Sequence, residues 1–551
     1  MLGIVADPSE REIVGEFFQL FKTPWEFYRD DVPYAAVIVT GGEPPASLRA
    51  PLALIYGGDG LAWDEGNGAK PVRHGRSATL HHNHKNKKDR LRIYGACSFW
   101  PKTEGADLVD ETDSAGAVWI SRRERTVIRV GYDLLGEVRY LLGTGQPADM
   151  AAWPTLDRHI AYLREQLLNH GTGFVEIPPL PSGCRMVVCL THDVDHPRIR
   201  GHRFDHTMLG FLFRAVIGSV LDLFGGRGSI GKLLTNWAAA CRLPLVYLGV
   251  AADFWVTFDR YHALEADRRS TFFVIPYKNR PGLDRDGRVQ PKRGAGYAPE
   301  EIADELERLV AAGREVALHG LEAWRDTQCG REEQARLQRF TRAGETGVRM
   351  HWLYFDEGSP SRLEAAGFSY DSTFGYNETV GFRAGTAQVF RPPGAKHLLE
   401  LPLHIMDTAL FYSSYLHLAP AAARQVVAQV VQAVEQSGGA LVVNWHDRSL
   451  APERLWDDFF CQLLEDLTRR GAWFPTAAAA VAWFRKRRDV VFHNVDWDNT
   501  GVRIKASAGG CSEALPALRL RVHPPGGRSR HEAAPMVETT FTDVLDARIA
   551  W

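Results

Sequence analysis

Short apolar runs alternate with helical stretches along most of the chain. Within residues 1–180, Ala35–Thr40 (AAVIVT), Leu52–Tyr56 (LALIY) and Ala117–Ser121 (AVWIS) read as strands. A helical pattern over Trp153–Asn169 leads into the proline-rich Ile177–Ser182 (IPPLPS), which marks a boundary. Strand and helix then alternate. Met186–Leu190 (MVVCL) runs into THDVDH, and Thr271–Ile275 (TFFVI) follows a helical stretch. A helix over Pro299–Ala312, opened by proline and acids and closed by Gly313, feeds Glu315–Leu318 (EVAL) into His319. Ala440–Asn444 (ALVVN) runs into Trp445-His446-Asp447. Polar residues therefore collect where apolar strands end, as in α/β barrels. After Asp489 the runs Val490–Phe492, Val502–Ala506 and Leu518–Val522 predict short antiparallel strands. The expected organisation is an α/β domain over residues 1–180, a (β/α) barrel over 183–488 and a small β module over 489–551.

A net charge of -2 over 551 residues predicts neither a nucleic-acid coat nor an acidic tail, so recognition is expected in a pocket. The 7 cysteines are scattered without a CxxC pair, which argues against a thiolate zinc site or a disulfide framework. Cys184 and Cys189 are expected to be buried apolar residues. The N-terminus carries charges where a signal peptide needs an apolar stretch. Met208–Phe224 is apolar but broken by Arg214 and Asp222. It is read as a buried helix in preference to a membrane-surface helix. The default is a reduced, cytoplasmic protein with no transmembrane segment; nothing indicates its oligomeric state. The basic, histidine-rich run His81–Arg92 reads as a solvated loop sooner than a metal site.

Four segments carry candidate chemistry. Asp193 and Asp195 lie two apart, on one face of an extended chain. Two such carboxylates repel unless a cation sits nearby, so one can ligate a metal while the other acts as a base on water. The plain alternative is a pair of capping or loop aspartates. His319 follows an apolar strand and precedes Gly320, which leaves its ring room to reach a pocket. In Gly381-Phe382-Arg383-Ala384-Gly385 the glycines permit a sharp turn that aims Arg383 inward. Arg383 then orients a catalytic carboxylate or holds a structural salt bridge. His446 is placed to protonate a leaving amine, with Asp447 or another carboxylate holding its tautomer.

In this order, the segments resemble the polysaccharide deacetylase family, the NodB-homology carbohydrate esterases. THDVD resembles the family's first motif, STFFV (Ser270–Val274) its second strand, and EVALHG the strand bearing a metal-binding histidine. YDST (Tyr370–Thr373) followed by GFRAG resembles the arginine motif, and LVVNWHD the last motif. The tail Trp473–Trp483 (WFPTAAAAVAW) is similar to the usual ending of these domains. The resemblance covers roughly Arg185–Arg488. It implies a deformed (β/α) barrel that removes an acetyl group from an N- or O-acetylated sugar or glycan precursor. It also implies a divalent ion, expected to be zinc. Asp193 would be the base, Asp195 and His319 ligands, Arg383 the partner of Asp193, and His446 the acid.

The family's second histidine, four residues after the first, is replaced by Ala323. Glu322 is nearby but has no precedent in the motif. His351, in Gly347–Trp352 (GVRMHW), is the expected substitute, because this segment enters the barrel as its next strand. A branch of the family has the same look, with LHG followed by GVRxHxL. Trp324, Trp352, Tyr354 and Trp445 are candidate sugar-stacking platforms, and Asp447 a candidate substrate contact. Two rival readings are a non-catalytic carbohydrate-binding scaffold on a decayed barrel, and an amidohydrolase-like barrel acting on a non-sugar amide.

Overall fold

The structure is a computed structural model that describes residues 1–46, 48–82, 90–102, 105–122, 125–341, 346–509, 515–526 and 536–551. Positions 83–89 of the histidine-rich run, and Cys511, lie outside the described residues.

The central sheet is all-parallel in its pairings. Its strand order is Leu399–Glu400, Tyr370–Asp371, Gly347–Met350, Glu315–Gly320, Ser270–Val274, Met186–Val194, Ala440–Asn444, Ile405–Met406, with Ala472–Trp473 added beside Met186–Val194. The runs VVCL, FFV and LVV show no in–out alternation because both faces of such a sheet are covered. The two edge strands are separated by only residues 401–404. Eight flat strands would place those edges roughly 34 Å apart, whereas the connector reaches at most about 17 Å. The sheet therefore has to curl. One extended segment closes it: Leu401 N–H donates to Asp371 on one side (2.8 Å) and His404 N–H to Val442 on the other (3.2 Å). This is the deformed barrel expected from the strand-end pattern.

Ahead of the barrel lies a nine-stranded mixed sheet. Trp25–Phe27, Leu2–Val5, Ala36–Val39, Leu52–Tyr56 and Arg125–Val130 run parallel, followed by antiparallel Ala115–Arg122, Ala106–Val109, Arg73–His82 and Arg90–Phe99. The chain end forms two three-stranded antiparallel sheets, which bury Val502, Ile504, Leu518 and Leu520 against the barrel core. The first of these sheets recruits Phe174–Glu176 from ahead of the barrel.

Three expectations change. The GFRAG turn does not point into the barrel mouth. Gly381 and Gly385 have φ of 139° and 67°, and a Cβ at Gly381 would lie 2.1 Å from the Ala151 carbonyl oxygen. The glycines allow this turn to clamp residues 145–156: Phe382 N–H donates to Ala151, and Leu156 N–H to Gly385. The apolar segment around Met208–Phe224 is not a buried helix. His206–Phe224 pairs with Ile230–Tyr247 as a helical hairpin between the first two barrel strands, and only one face of it is packed. Cys189 is buried in the first barrel strand, while Cys184 is only partly covered.

Candidate metal centre and flanking acid and base

At the C-terminal ends of the barrel strands, Asp195, His319 and His351 present ligand atoms that all lie within 4.8 Å of one another. Asp195 follows the first strand directly, and His319 is the penultimate residue of Glu315–Gly320. Its Nδ1 lies 2.9 Å from the Arg349 carbonyl oxygen. A carbonyl only accepts, so Nδ1 carries the proton and Nε2 keeps its lone pair. That Nε2 lies 3.4 Å from Asp195 Oδ1, and His351 Nε2 lies 3.6 Å from the same oxygen.

The backbone around His351 is strained in order to place it. Trp352 and Leu353 both take positive φ, 64° and 51°, a conformation that costs non-glycine residues energy and gathers at functional sites. The buried Arg293 holds this turn, donating to the His351 carbonyl from Nε (3.2 Å) and Nη2 (2.8 Å). His351 is thereby swung inward, while Trp352 stays 40% exposed.

These residues fit a divalent ion. Asp195 Oδ1 is buried with no hydrogen-bond partner among the described residues, although buried polar atoms are nearly always paired. One carboxylate and two imidazoles form the three-ligand, open-position set of catalytic zinc sites. Ala323, where the second family histidine would stand, is core. Glu322 is turned away, accepting the Leu283 N–H at 3.2 Å.

Asp193 sits beside this cluster, its Oδ2 3.7 Å from His319 Nε2. Arg349 Nη1 donates to its Oδ1 at 2.9 Å, and Asn444 Nδ2 to its Oδ2 at 2.8 Å. Burial alone would raise this carboxyl, but the Arg349 guanidinium beside it holds it below the usual range. Arg349 is fully buried and committed throughout. It also donates to Thr191 Oγ1 and to Ser372, and lies 4.3 Å over the Phe273 ring. Arg349, two residues before His351, is thus the partner that had been expected of Arg383. Arg383 instead donates to the Gly375 carbonyl at 2.9 Å and lies over Phe374 at 4.6 Å. Together with Trp352 and Tyr376 it lines a cleft of about 480 Å³.

Across the cluster, His446 Nε2 lies 3.9 Å from Asp195 Oδ2. Its Nδ1 lies 2.6 Å from Asp407 Oδ1, and its backbone N–H donates to Asp407 Oδ2 at 2.6 Å. Burial disfavours the charged ring, but the Asp407 carboxylate outweighs it and raises the imidazole to about 10. Asp407, not Asp447, holds the His446 tautomer. It escaped the sequence reading, although it ends the apolar run LPLHIM as a strand-end polar residue should.

Asp447 is buried. Its Oδ2 accepts the His196 N–H at 3.0 Å, which fixes the turn after Asp195. Burial, with Asp195 nearby, raises it to about 7. Its other oxygen accepts the Arg448 N–H, so both carboxylate oxygens are engaged with backbone and not exposed at the cleft. Trp445 is fully buried and stacks on Phe459 and Phe460, so it is core and no sugar platform. Trp324 is buried as well. Behind the site His192 bridges the Trp445 carbonyl (2.7 Å) and Glu265 (2.6 Å), and so braces the first strand.

No family model matches the chain, and neither does any curated protein. Among solved structures, a Mycobacterium smegmatis protein assigned as a polysaccharide deacetylase superposes with TM-score 0.34 and 18% identity, over 56% of this chain and 95% of the other. Puue allantoinase gives 0.33 and 15%, over 55% and 91%. A Pseudomonas aeruginosa PAO1 protein assigned as a polysaccharide deacetylase gives 0.34 and 13%, over 56% and 94%. Likeness at this level decides neither fold nor chemistry; both rest on the strand order and the side chains.

Proposed function

We propose that the barrel is a metal-dependent amide hydrolase that removes an acetyl group from an N-acetylated sugar or glycan precursor. One observation carries the reading. A three-donor site is flanked on one side by an ionised, arginine-held Asp193 and on the other by a protonated, aspartate-held His446. Base and acid are separated by environment, as hydrolysis of an amide requires.

Asp195, His319 and His351 would hold the ion, and the set suits zinc. When bound, such an ion polarises a carbonyl and makes water more acidic. Asp193, fixed by Arg349 and Asn444, accepts the proton of the attacking water as oxygen adds to the acetyl carbon. His446 Nε2 gives its proton to the departing nitrogen as the C–N bond breaks, leaving acetate and a free amine. Asp407 steadies the charged ring through Nδ1. Trp352, exposed at the cleft, supplies an apolar face on which a pyranose ring stacks.

The intact donor set and the buried, oriented acid weigh against a non-catalytic scaffold, since buried charges are costly to keep. The test is acetate release from N-acetylhexosamine oligosaccharides by zinc-loaded protein. Activity lost in Asp193→Asn supports the reading; zinc-loaded protein that releases no acetate from any N-acetylhexosamine substrate overturns it.

A further inference from the structure

The helical hairpin between the first two barrel strands has an apolar face that nothing among the described residues covers. On His206–Phe224 the exposed residues are Leu209, Phe213, Val216, Ile217, Leu221 and Phe224. Their spacing of three and four residues makes one stripe. On Ile230–Tyr247 the exposed Ile230, Leu234, Trp237 and Leu245 repeat it. The stripes adjoin, because Trp237 Nε1 donates to the Val216 carbonyl across the hairpin at 3.3 Å. Phe224 is 85% exposed, and Leu248 and Val250 at the hairpin base are each 76% exposed.

The opposite face is occupied. Met208, Phe211 and Ala215 pack with Ala239, Leu243, Val246 and Trp255. The first helix has 19 residues and enough apolar character to cross a membrane. With one side fixed to protein, however, it meets lipid on a single face, as a helix lying in the plane of the interface does.

Charge selects the occupant. Residues 198–253 carry seven basic side chains against three acidic ones, in a chain whose net charge is -2. The acids are locally engaged: Asp205 caps the first helix and hydrogen-bonds His202 at 2.7 Å, Asp222 pairs with Arg227 at 3.1 Å, and Asp253 accepts the backbone N–H groups of Ile199 and Arg200. Arg200, Arg203 and Arg242 are exposed near the hairpin base, where Arg200 donates to the Ala251 carbonyl. An apolar stripe ending in exposed arginines suits an anionic headgroup layer over acyl chains better than it suits a protein surface.

We propose that this hairpin docks the protein on an anionic lipid bilayer, with the two stripes buried at the headgroup–acyl boundary. Docking is independent of the hydrolase reading and is measured without turnover or metal. The full chain is sedimented with phosphatidylglycerol or phosphatidylcholine vesicles at ~0.1 M salt. The expected result is co-sedimentation with the phosphatidylglycerol vesicles, weakened at higher salt. It should be lost in Leu209→Glu/Ile217→Glu/Leu234→Glu, whose exposed positions leave the thermal midpoint intact. Arg203→Gln/Arg242→Gln should reduce the preference for the anionic vesicles. Wild-type protein that stays in the supernatant with both vesicles overturns the proposal, as does a triple variant that binds like wild type. So does a stable dimer that the triple variant dissociates while wild type ignores vesicles; the stripes are then an interface between copies.

Discussion

Asp407 Oδ1 lies 2.6 Å from Nδ1 of His446, and the other carboxylate oxygen takes the backbone N–H of the same histidine. Ring and main chain of one residue are thus held by one buried side chain. The imidazole is protonated up to about 10 against an ordinary value of 6.5, because the carboxylate overcomes the burial that opposes the charge.

Asp407→Asn should lower kcat/KM by roughly 100-fold or more and shift the alkaline limb of its pH profile downwards. The sign follows from the role. His446 acts while protonated, so its activity persists below its pKa and is lost above it, and removing the Asp407 charge moves that pKa down. Initial rates between pH 5 and 11 check it. A variant profile that overlays the wild type would remove His446 from the role of acid.

Asp195→Ala, His319→Ala and His351→Ala should each weaken zinc binding beyond the roughly 10–100-fold that loss of an outer-shell partner costs. Glu322→Ala should leave it unchanged, because that carboxylate faces the Leu283 backbone. Metal content by mass spectrometry after dialysis, together with competition against a chelating dye, separates the four variants. Retention of one ion per chain by His351→Ala would strike it from the ligand set.

Arg349→Met should destabilise the fold by about 3–5 kcal/mol, because it strands the buried Asp193 charge without its cation. Adding Asp193→Asn should recover a large part of that loss, a coupling that urea denaturation of the single and double variants reads directly. Arg383→Ala should show no coupling to Asp193→Asn, since its guanidinium is engaged at Gly375 and Phe374.

Two of the tryptophans expected at the substrate, Trp445 and Trp352, should part company. Trp445→Ala should cost about 3–5 kcal/mol of stability through the cavity it leaves. Trp352→Ala, at an exposed position, should raise KM with little effect on the thermal midpoint. Equal KM effects from both would contradict this assignment.

What could be read before folding was local. Unbroken apolar runs such as VVCL and LVVN marked barrel strands, and a polar residue just past each marked Asp193, Asp195, His319 and His446. Glycine and arginine in GFRAG were visible too, but the sequence does not say which surface a turn meets, and this one meets residues 145–156. Arg349 and Asp407 were missed for one reason. Each acts on a partner far along the chain, Asp193 and His446, and the two-residue strands Tyr370–Asp371, Leu399–Glu400 and Ile405–Met406 that complete their side of the barrel are too short to show a period. Apolar content also marked the helix around Met208–Phe224, but content alone cannot tell an apolar face that is packed from one left bare.

The segment Leu399–Met406 pairs with Asp371 at one end and Val442 at the other, and the next residue is Asp407. The chain's last stitch around the ring therefore ends on the carboxylate that keeps His446 charged. Local fraying of this seam would lower the proton affinity of His446 without unfolding the molecule. The proton affinity of one imidazole, followed by NMR titration, thus serves as a gauge of whether the ring is shut.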